Sequence, residues 1–145
     1  MGTLGTQGVR PESAGQLAKP ILLLAAEHAQ ETAFLEAALP LLMPAGGADS
    51  VTLRRAERGK WLVVASAGLK REPPLTLLGE VLDREVPLAD GAWAAAPLAP
   101  RSGSGEVLAL HAAGAAWGDR AAVLEELASL LEAGRAAVRQ RDLGR

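Results

Sequence analysis

Side chains recur at helical spacing from Lys19 onward, which predicts that the folded part of the chain opens with two consecutive helices. The first helical face consists of Ile21, Leu24, Ala25 and His28. A second helix is expected to begin at Thr32, because threonine is a favoured residue at a helix N-terminus. Pro40 should kink this helix since proline lacks the amide hydrogen, and Pro44 with Gly46–Gly47 should end it.

Alternating side chains then predict a β-hairpin. Apolar and polar residues alternate along Ser50–Ala56, as in a strand with one buried face. Trp61–Ala65 is rich in residues that favour strands, and the turn Glu57–Lys60 joins the two segments. Helical spacing returns over Leu75–Glu85, and a short strand is expected at Val86–Ala89.

Two further strands and a long helix complete the pattern. The strands are predicted at Trp93–Ala99 and Glu106–Ala112, with Arg101–Gly105 as the turn between them. Asp119 is the expected cap of the last helix, which continues to about Arg141 with acids in its first half and arginines towards its end. This order of elements indicates an α+β fold with a mainly antiparallel sheet.

Length and composition limit the number of domains and the class of protein. A length of 145 residues fits one domain, and we expect a disordered leader at 1–17, the domain at 18–142 and a short tail at 143–145. A net charge of -2 lacks the basic excess of a nucleic-acid-binding domain. The apolar run Ile21–Ala26 is too short for a membrane span and no secretory signal precedes it, so we expect a cytoplasmic protein.

The sequence offers little material for catalysis. It contains no cysteine, which removes thiolate nucleophiles and Cys-ligated metals, and two histidines cannot form a multi-His metal site by themselves. A basic cluster is interpreted as a solvated hairpin end, with a patch for phosphate or an acidic partner as the alternative. The cluster comprises Arg54, Arg55, Arg58, Lys60, Lys70 and Arg71. We therefore predict neither enzyme activity nor a metal site.

Short motifs follow one another from Lys19 to Arg141. They are Phe34-Leu-Glu-Ala-Ala-Leu, Gly47-Ala-Asp-Ser-Val-Thr-Leu, Val63-Val-Ala-Ser-Ala-Gly-Leu, Leu78-Gly-Glu-Val-Leu-Asp-Arg-Glu-Val-Pro-Leu, Ala96-Pro-Leu and Gly105-Glu-Val-Leu-Ala-Leu-His. In this order and spacing they resemble the GAF family of small sensory and regulatory domains. A roadblock-type fold has a similar order of elements and is the alternative, but two consecutive N-terminal helices favour GAF.

The resemblance implies a central antiparallel sheet of about five or six strands, with the N-terminal and C-terminal helices packed on one face. It also implies that the segment between the hairpin and the fourth strand covers the other face and closes a small-molecule pocket. That segment is short here, so a small or absent cavity is expected. The chain lacks asparagine and cysteine. Cyclic-nucleotide-binding members use an asparagine-containing pattern, and chromophore-bearing or methionine-sulfoxide-reducing members use cysteines, so these chemistries are not expected.

We expect a non-catalytic sensory or regulatory domain of a bacterial signalling or transcription-regulatory protein, joined to an output domain. The alternatives are a ligand-free structural dimerisation module and a roadblock-like interaction domain. The expected walls of a small-ligand pocket are Leu53, Val63, Leu78, Leu82, Trp93 and His111. A seam of apolar residues predicts a homodimer through the terminal helices, and Gly134 would let two backbones approach. The expected contacts are Leu24, Leu124, Leu127, Leu131 and Val138.

Overall fold

The computed structural model describes residues 16–98, 105–113 and 121–143, which form four helices and a five-stranded sheet. In chain order the elements are α1 (Ala18–Glu27), α2 (Glu31–Gly46), β1 (Ser50–Glu57), β2 (Lys60–Gly68), α3 (Leu75–Arg84), β3 (Leu88–Asp90), β4 (Trp93–Leu98), β5 (Glu106–His111) and α4 (Ala121–Leu143). The predicted α+β order is confirmed. The predicted leader up to residue 15, the turn residues 101–104 and the cap Asp119 lie outside the described residues.

The ends of α2 differ from those predicted. Gln30 precedes the helix in an extended conformation, so Thr32 lies inside the first turn and is not the cap. Pro40 and Pro44 both lie within the helix, so Pro44 does not end it. Gly47 ends it with a φ of 64°, the left-handed conformation that glycine adopts without steric cost.

Strands β1 and β2 form the predicted hairpin. Its two turn residues, Arg58 and Gly59, have φ values of 54° and 78°. Positive φ at both positions is typical of the type I′ turn, whose twist matches that of the flanking strands. The pairing register shifts between Leu53 and Arg54, which marks a bulge in the hairpin.

The sheet is antiparallel throughout, with the strand order β2-β1-β5-β4-β3. Strand β3 begins directly after Pro87 and lies at an edge, where a residue without an amide hydrogen costs no ladder hydrogen bond. Helices α1, α2 and α4 pack on one face of the sheet, as the resemblance implied, and α3 packs on β3, β4 and β5 from the other face.

The predicted dimer contacts on α4 are buried inside a single chain. Leu124, Leu127, Leu131 and Val138 are at most 1% exposed, and Leu24 is half-buried against the same cluster. Their apolar face is wide because α4 packs on α1, on α2 and on the sheet at once. A side chain with no exposed surface cannot contact a second copy, so the choice of these α4 residues was wrong. Dimerisation itself stays a prediction.

Gly134 permits a close approach within the chain. A Cβ atom at this position would overlap Cζ of Phe34 and lie 2.9 Å from Cγ2 of Ile21. Phe34 projects from α2 and Ile21 from α1, so the missing side chain of Gly134 makes room for both N-terminal helices against α4. The expectation of an approach between two chains at Gly134 is corrected accordingly.

Candidate ligand pocket

The predicted pocket walls lie on opposite faces of the sheet. Leu53 is buried in the cluster beneath α1, α2 and α4. Leu78, Leu82 and Trp93 belong to the cluster beneath α3, together with Ala109. Because successive side chains of a strand alternate between the two faces, Leu53 cannot share a cavity with Leu78. The single pocket predicted from these walls is therefore wrong.

An open pocket of about 150 Å³ lies over β1 and β2, on the face opposite the three packed helices. Its lining residues are Ser50, Thr52, Arg54, Val63, Ser66, Gly68, Leu69, Lys70, Arg71 and Glu72. Val63, whose side chain was a predicted wall, is among them and is 56% exposed. This pocket does not include the helix Leu75–Arg84, next to which the sequence predicted a cavity.

The alternation along β1 makes the floor of this pocket polar. Val51 and Leu53 are buried in the larger cluster, so Thr52 and Arg54 project from the other face. Ser66 of β2 pairs with Thr52 across the ladder and adds a second hydroxyl to the same surface. Polar residues of β1 and β2 therefore lie beside the apolar side chain of Val63 where α3 does not pack on the sheet.

The loop that follows β2 forms one wall. Gly68 has a φ of 83°, and a Cβ atom there would overlap the carbonyl oxygen of Asp49. The amide of Leu69 donates to that same oxygen at 2.9 Å. Glycine thus lets the chain turn tightly against the start of β1, and the turn brings Lys70–Glu72 beside the polar floor.

Arg54 is the buried cation of the pocket, with a side chain only 7% exposed. Its Nε donates to Oγ1 of Thr52 at 2.8 Å, and its Nη1 donates to Oε1 of Glu72 at 3.2 Å. A guanidinium carries five N–H donors in a planar fork. These two hydrogen bonds leave donors for a further acceptor, and arginine is well suited to bind carboxylate and phosphate groups.

Asp49 connects the pocket loop to β5. Its Oδ1 accepts a hydrogen bond from Nδ1 of His111 at 2.9 Å, and Arg71 donates to both carboxylate oxygens at 3.2 Å. The hydrogen bond from His111 is the largest influence that lowers the pKa of Asp49, and Arg71 lowers it further. The ring of Trp93 meets that of His111 edge-on, with centroids 5.0 Å apart. His111, a predicted pocket wall, thus positions Asp49 and Arg71.

Positive charge exceeds negative charge around the pocket. Among the lining residues Arg54, Lys70 and Arg71 are cationic and Glu72 is acidic, while Asp49 neutralises Arg71 from behind. Within the part of the chain that the structure describes, no group of three or more His, Cys, Asp or Glu side chains is placed to hold a metal ion. The arrangement is chemically suited to bind a small anion.

Comparison with known proteins identifies the fold. The sequence matches no protein-family model and no curated protein. A GAF domain from a phosphoenolpyruvate-protein phosphotransferase of Coxiella burnetii is 15% identical, with a TM-score of 0.68 over 92% of this chain and 97% of that one. The GAF domain of a protein described as a sensor histidine kinase of Pseudomonas syringae pv. tomato is 17% identical, with a TM-score of 0.62 over 91% of each chain.

The chain has the GAF-domain fold. A free methionine-R-sulfoxide reductase from Neisseria meningitidis, solved in complex with its substrate, is also similar. It is 18% identical, with a TM-score of 0.66 over 92% of this chain and 95% of that one. Enzymes and regulatory domains are therefore both similar to this chain, and the GAF fold alone does not decide between them.

The residues of the basic cluster, which the sequence analysis interprets as one solvated hairpin end, lie in three different places in the structure. Arg58 and Lys60 are exposed at the hairpin turn, as expected. Arg55 faces the three packed helices, where its Nε and Nη2 donate to Glu106. The pocket receives Arg54, Lys70 and Arg71. Strand alternation already requires adjacent arginines of β1 to face opposite sides, and this signal was available in the sequence.

Proposed function

We propose that the chain is a non-catalytic sensory or regulatory domain that binds a small ligand in the pocket over β1 and β2. The observation that carries this proposal is the buried guanidinium of Arg54, which lines an open pocket with donors to spare. A buried cation is costly unless a partner or ligand compensates it, and Glu72 compensates Arg54 through one hydrogen bond only. The GAF domains of the phosphotransferase and the histidine kinase are similar in fold and support a regulatory role.

The non-catalytic part of the proposal rests on the side chains available. Thiol chemistry of the kind that the resemblance assigns to sulfoxide-reducing members needs cysteine, and this chain contains none. The pocket offers arginines, a lysine, hydroxyl groups and the carboxylate of Glu72, which is paired with Arg54, and these groups can bind and orient a ligand. In this proposal the domain acts in the bacterial cytoplasm and passes its state to an output domain. Among the described residues, no helix is long and apolar enough to cross a membrane.

A thermal-shift screen tests the proposal. A ligand at 100 times its dissociation constant adds about 2.7 kcal/mol to stability, which corresponds to a rise of about 5–10 °C in melting temperature for a domain of this size. Inorganic phosphate, small carboxylic acids, amino acids, cyclic nucleotides and haem form the panel. We expect Arg54→Gln to abolish the shift, while Arg58→Gln, which removes an exposed arginine of the hairpin turn outside the pocket, retains it. A panel without any stabilising compound would favour a ligand-free structural module.

A second proposal concerns association. Leu22 and Leu23 of α1 are 51% and 54% exposed, and they form an apolar surface on an N-terminal helix. We infer that a second copy of the chain covers this surface, and the support for this is the exposure of two adjacent leucines on one helix. Such a pair of identical chains would be arranged about a two-fold axis. This dimer uses the outer side of α1 in place of the buried residues of α4.

A further inference from the structure

Glu72 is an exposed acidic residue that forms an ion pair with the buried guanidinium of Arg54. Its side chain is 82% exposed, yet its Oε1 accepts a hydrogen bond from Nη1 of Arg54 inside the pocket. The contact brings a carboxylate of the loop after β2 to the place where a ligand anion would meet the guanidinium. Glu72 is therefore positioned to compete with any oxyanion that enters.

The contact is a weak one in comparison with other ion pairs of the chain. Arg71 binds both oxygens of Asp49, and Arg139 binds both oxygens of Glu31, whereas Arg54 reaches Glu72 through one hydrogen bond. Two parallel hydrogen bonds are stronger and more specific than one. An ion pair whose acidic partner lies in water also contributes little, because water screens the charges. A ligand carboxylate or phosphate that engages the fork at two points can replace Glu72.

The position of Glu72 links the pocket to α3. Pro73 and Pro74 follow it directly, and Pro74 is the residue that precedes the helix, with its carbonyl accepting from the amide of Leu77 at 3.1 Å. Proline restricts the backbone to a narrow range of φ, so two prolines in succession make a stiff connection. Glu72 is thereby joined to the start of α3 by a stiff segment of backbone.

We propose that Glu72 is an internal competitor for Arg54, and that a small ligand carrying a carboxylate or phosphate group displaces it and releases the loop that leads to α3. The inference rests on the proposed ligand pocket and adds the chemical class of the ligand and the way in which binding changes the protein. Lys70, at the exposed side of the same pocket, adds a second positive charge for the incoming anion.

The test compares Glu72→Gln with Glu80→Gln. Both variants remove one negative charge, and Glu80 is an exposed acid of α3 that pairs with Arg84 away from the pocket lining. Dissociation constants for inorganic phosphate and for acetate are measured by titration at constant ionic strength, so that the two anions separate a phosphate ligand from a carboxylate ligand. We expect Glu72→Gln to bind at least one of them about two- to five-fold more tightly than the unmodified chain, and Glu80→Gln to bind as the unmodified chain does.

A second readout follows the loop. Backbone amide resonances of Leu69–Glu72 and Leu75–Leu77 in the Glu72→Gln variant should shift in the direction that the bound anion produces in the unmodified chain. Equal gains in affinity for Glu72→Gln and Glu80→Gln would show an effect of net charge and overturn the inference, as would weaker binding by Glu72→Gln. Binding of a neutral compound in the pocket, unaffected by Glu72→Gln and without competition from phosphate or acetate, would overturn the inference and leave the ligand-binding function standing. Absence of binding by every compound and variant would overturn both.

Discussion

Glu106 of β5 and Arg135 of α4 form an ion pair in the interior, between the sheet and the three packed helices. Arg135 also binds Glu132 at 2.6 Å, and Arg55 donates to the second oxygen of Glu106 at 3.2 Å. Burial opposes ionisation of Glu106, but its ion pairs with Arg135 and Arg55 outweigh the effect of burial and lower the pKa of Glu106. The pair fixes the C-terminal helix on the strand that lies next to the pocket strand β1.

Removal of one partner of this pair should be costly. We expect Arg135→Met to lower the free energy of unfolding by about 3 kcal/mol, because Glu106 keeps its charge in the interior with only Arg55 to compensate it. Urea denaturation followed by circular dichroism measures the change. The double variant Glu106→Leu with Arg135→Met should regain most of the loss, since it removes both fully buried charges and leaves only the partly exposed Arg55 and Glu132 without this partner.

The exposed pair of Arg84 and Glu80 serves as the comparison. Arg84→Ala should change stability by less than about 0.5 kcal/mol, because both side chains lie in water. If Arg135→Met were as mild as Arg84→Ala, the buried pair would not hold α4 on the sheet.

The free energy of unfolding should fall at acidic pH. The pKa values of Glu31, Asp49 and Glu106 are lowered in the folded chain by arginine partners and, for Asp49, first by His111. A carboxylate with a lowered pKa binds fewer protons in the folded chain than in the unfolded chain. Its contribution to the free energy of unfolding is therefore complete above the unfolded pKa values of about 3.9–4.3, and it is lost as the pH falls through the folded pKa. Unfolding free energies measured from pH 7 down to pH 3 should decline below about pH 4.5, and the slope should be smaller in the Glu106→Leu, Arg135→Met double variant.

Two glycines in helices should respond to alanine in opposite ways. Gly134→Ala would force Phe34 and Ile21 to move, and we expect a loss of about 1–3 kcal/mol. Gly79 of α3 has open space at its Cβ position, so Gly79→Ala should stabilise the chain by up to about 1 kcal/mol through helix propensity alone. Thermal melts of both variants check the pair. A stabilised Gly134→Ala variant would contradict the close packing of α1 and α2 on α4.

Much of the fold was predictable because local sequence patterns indicate its helices and strands. The alternation of Ser50–Ala56 and the β-forming residues after Lys60 predicted the hairpin, and the structure confirms it. The pocket was not predictable from the same pattern, because its wall depends on the turn of Gly68 against Asp49, a contact between two elements. The apolar width of α4 was real, but the sequence does not tell whether α1 and α2 or a second chain cover it. Local periodicity shows that a helix face is apolar, but it does not identify the element or chain that packs against that face.

The buried position of Leu131 predicts the outcome of a charged substitution there. Leu131→Glu should prevent folding or lower the free energy of unfolding by more than about 3 kcal/mol, because the glutamate would be buried without a partner. Circular dichroism measures the loss. A stably folded, monomeric Leu131→Glu protein would mean that Leu131 lies at a surface between chains.

Substitution of the exposed leucines should affect association alone. The double variant Leu22→Glu, Leu23→Glu should keep its fold within about 0.5 kcal/mol per exposed site and sediment as a monomer at about 100 μM, where a dimer of micromolar affinity would be mostly assembled. The unmodified chain should sediment as a dimer at the same concentration. A monomeric unmodified chain would contradict the α1 dimer.

The claim that the pocket over β1 and β2 is the ligand site is tested most directly by backbone amide spectra of the ¹⁵N-labelled chain. Inorganic phosphate, or whichever compound of the thermal-shift panel stabilises the protein most, is added to saturation. We expect the largest shifts at Ser50–Arg54 and Ser66–Glu72, the two segments that line the pocket. Saturable shifts centred on α3 and β4, with these two segments unchanged, would contradict the assignment of the site.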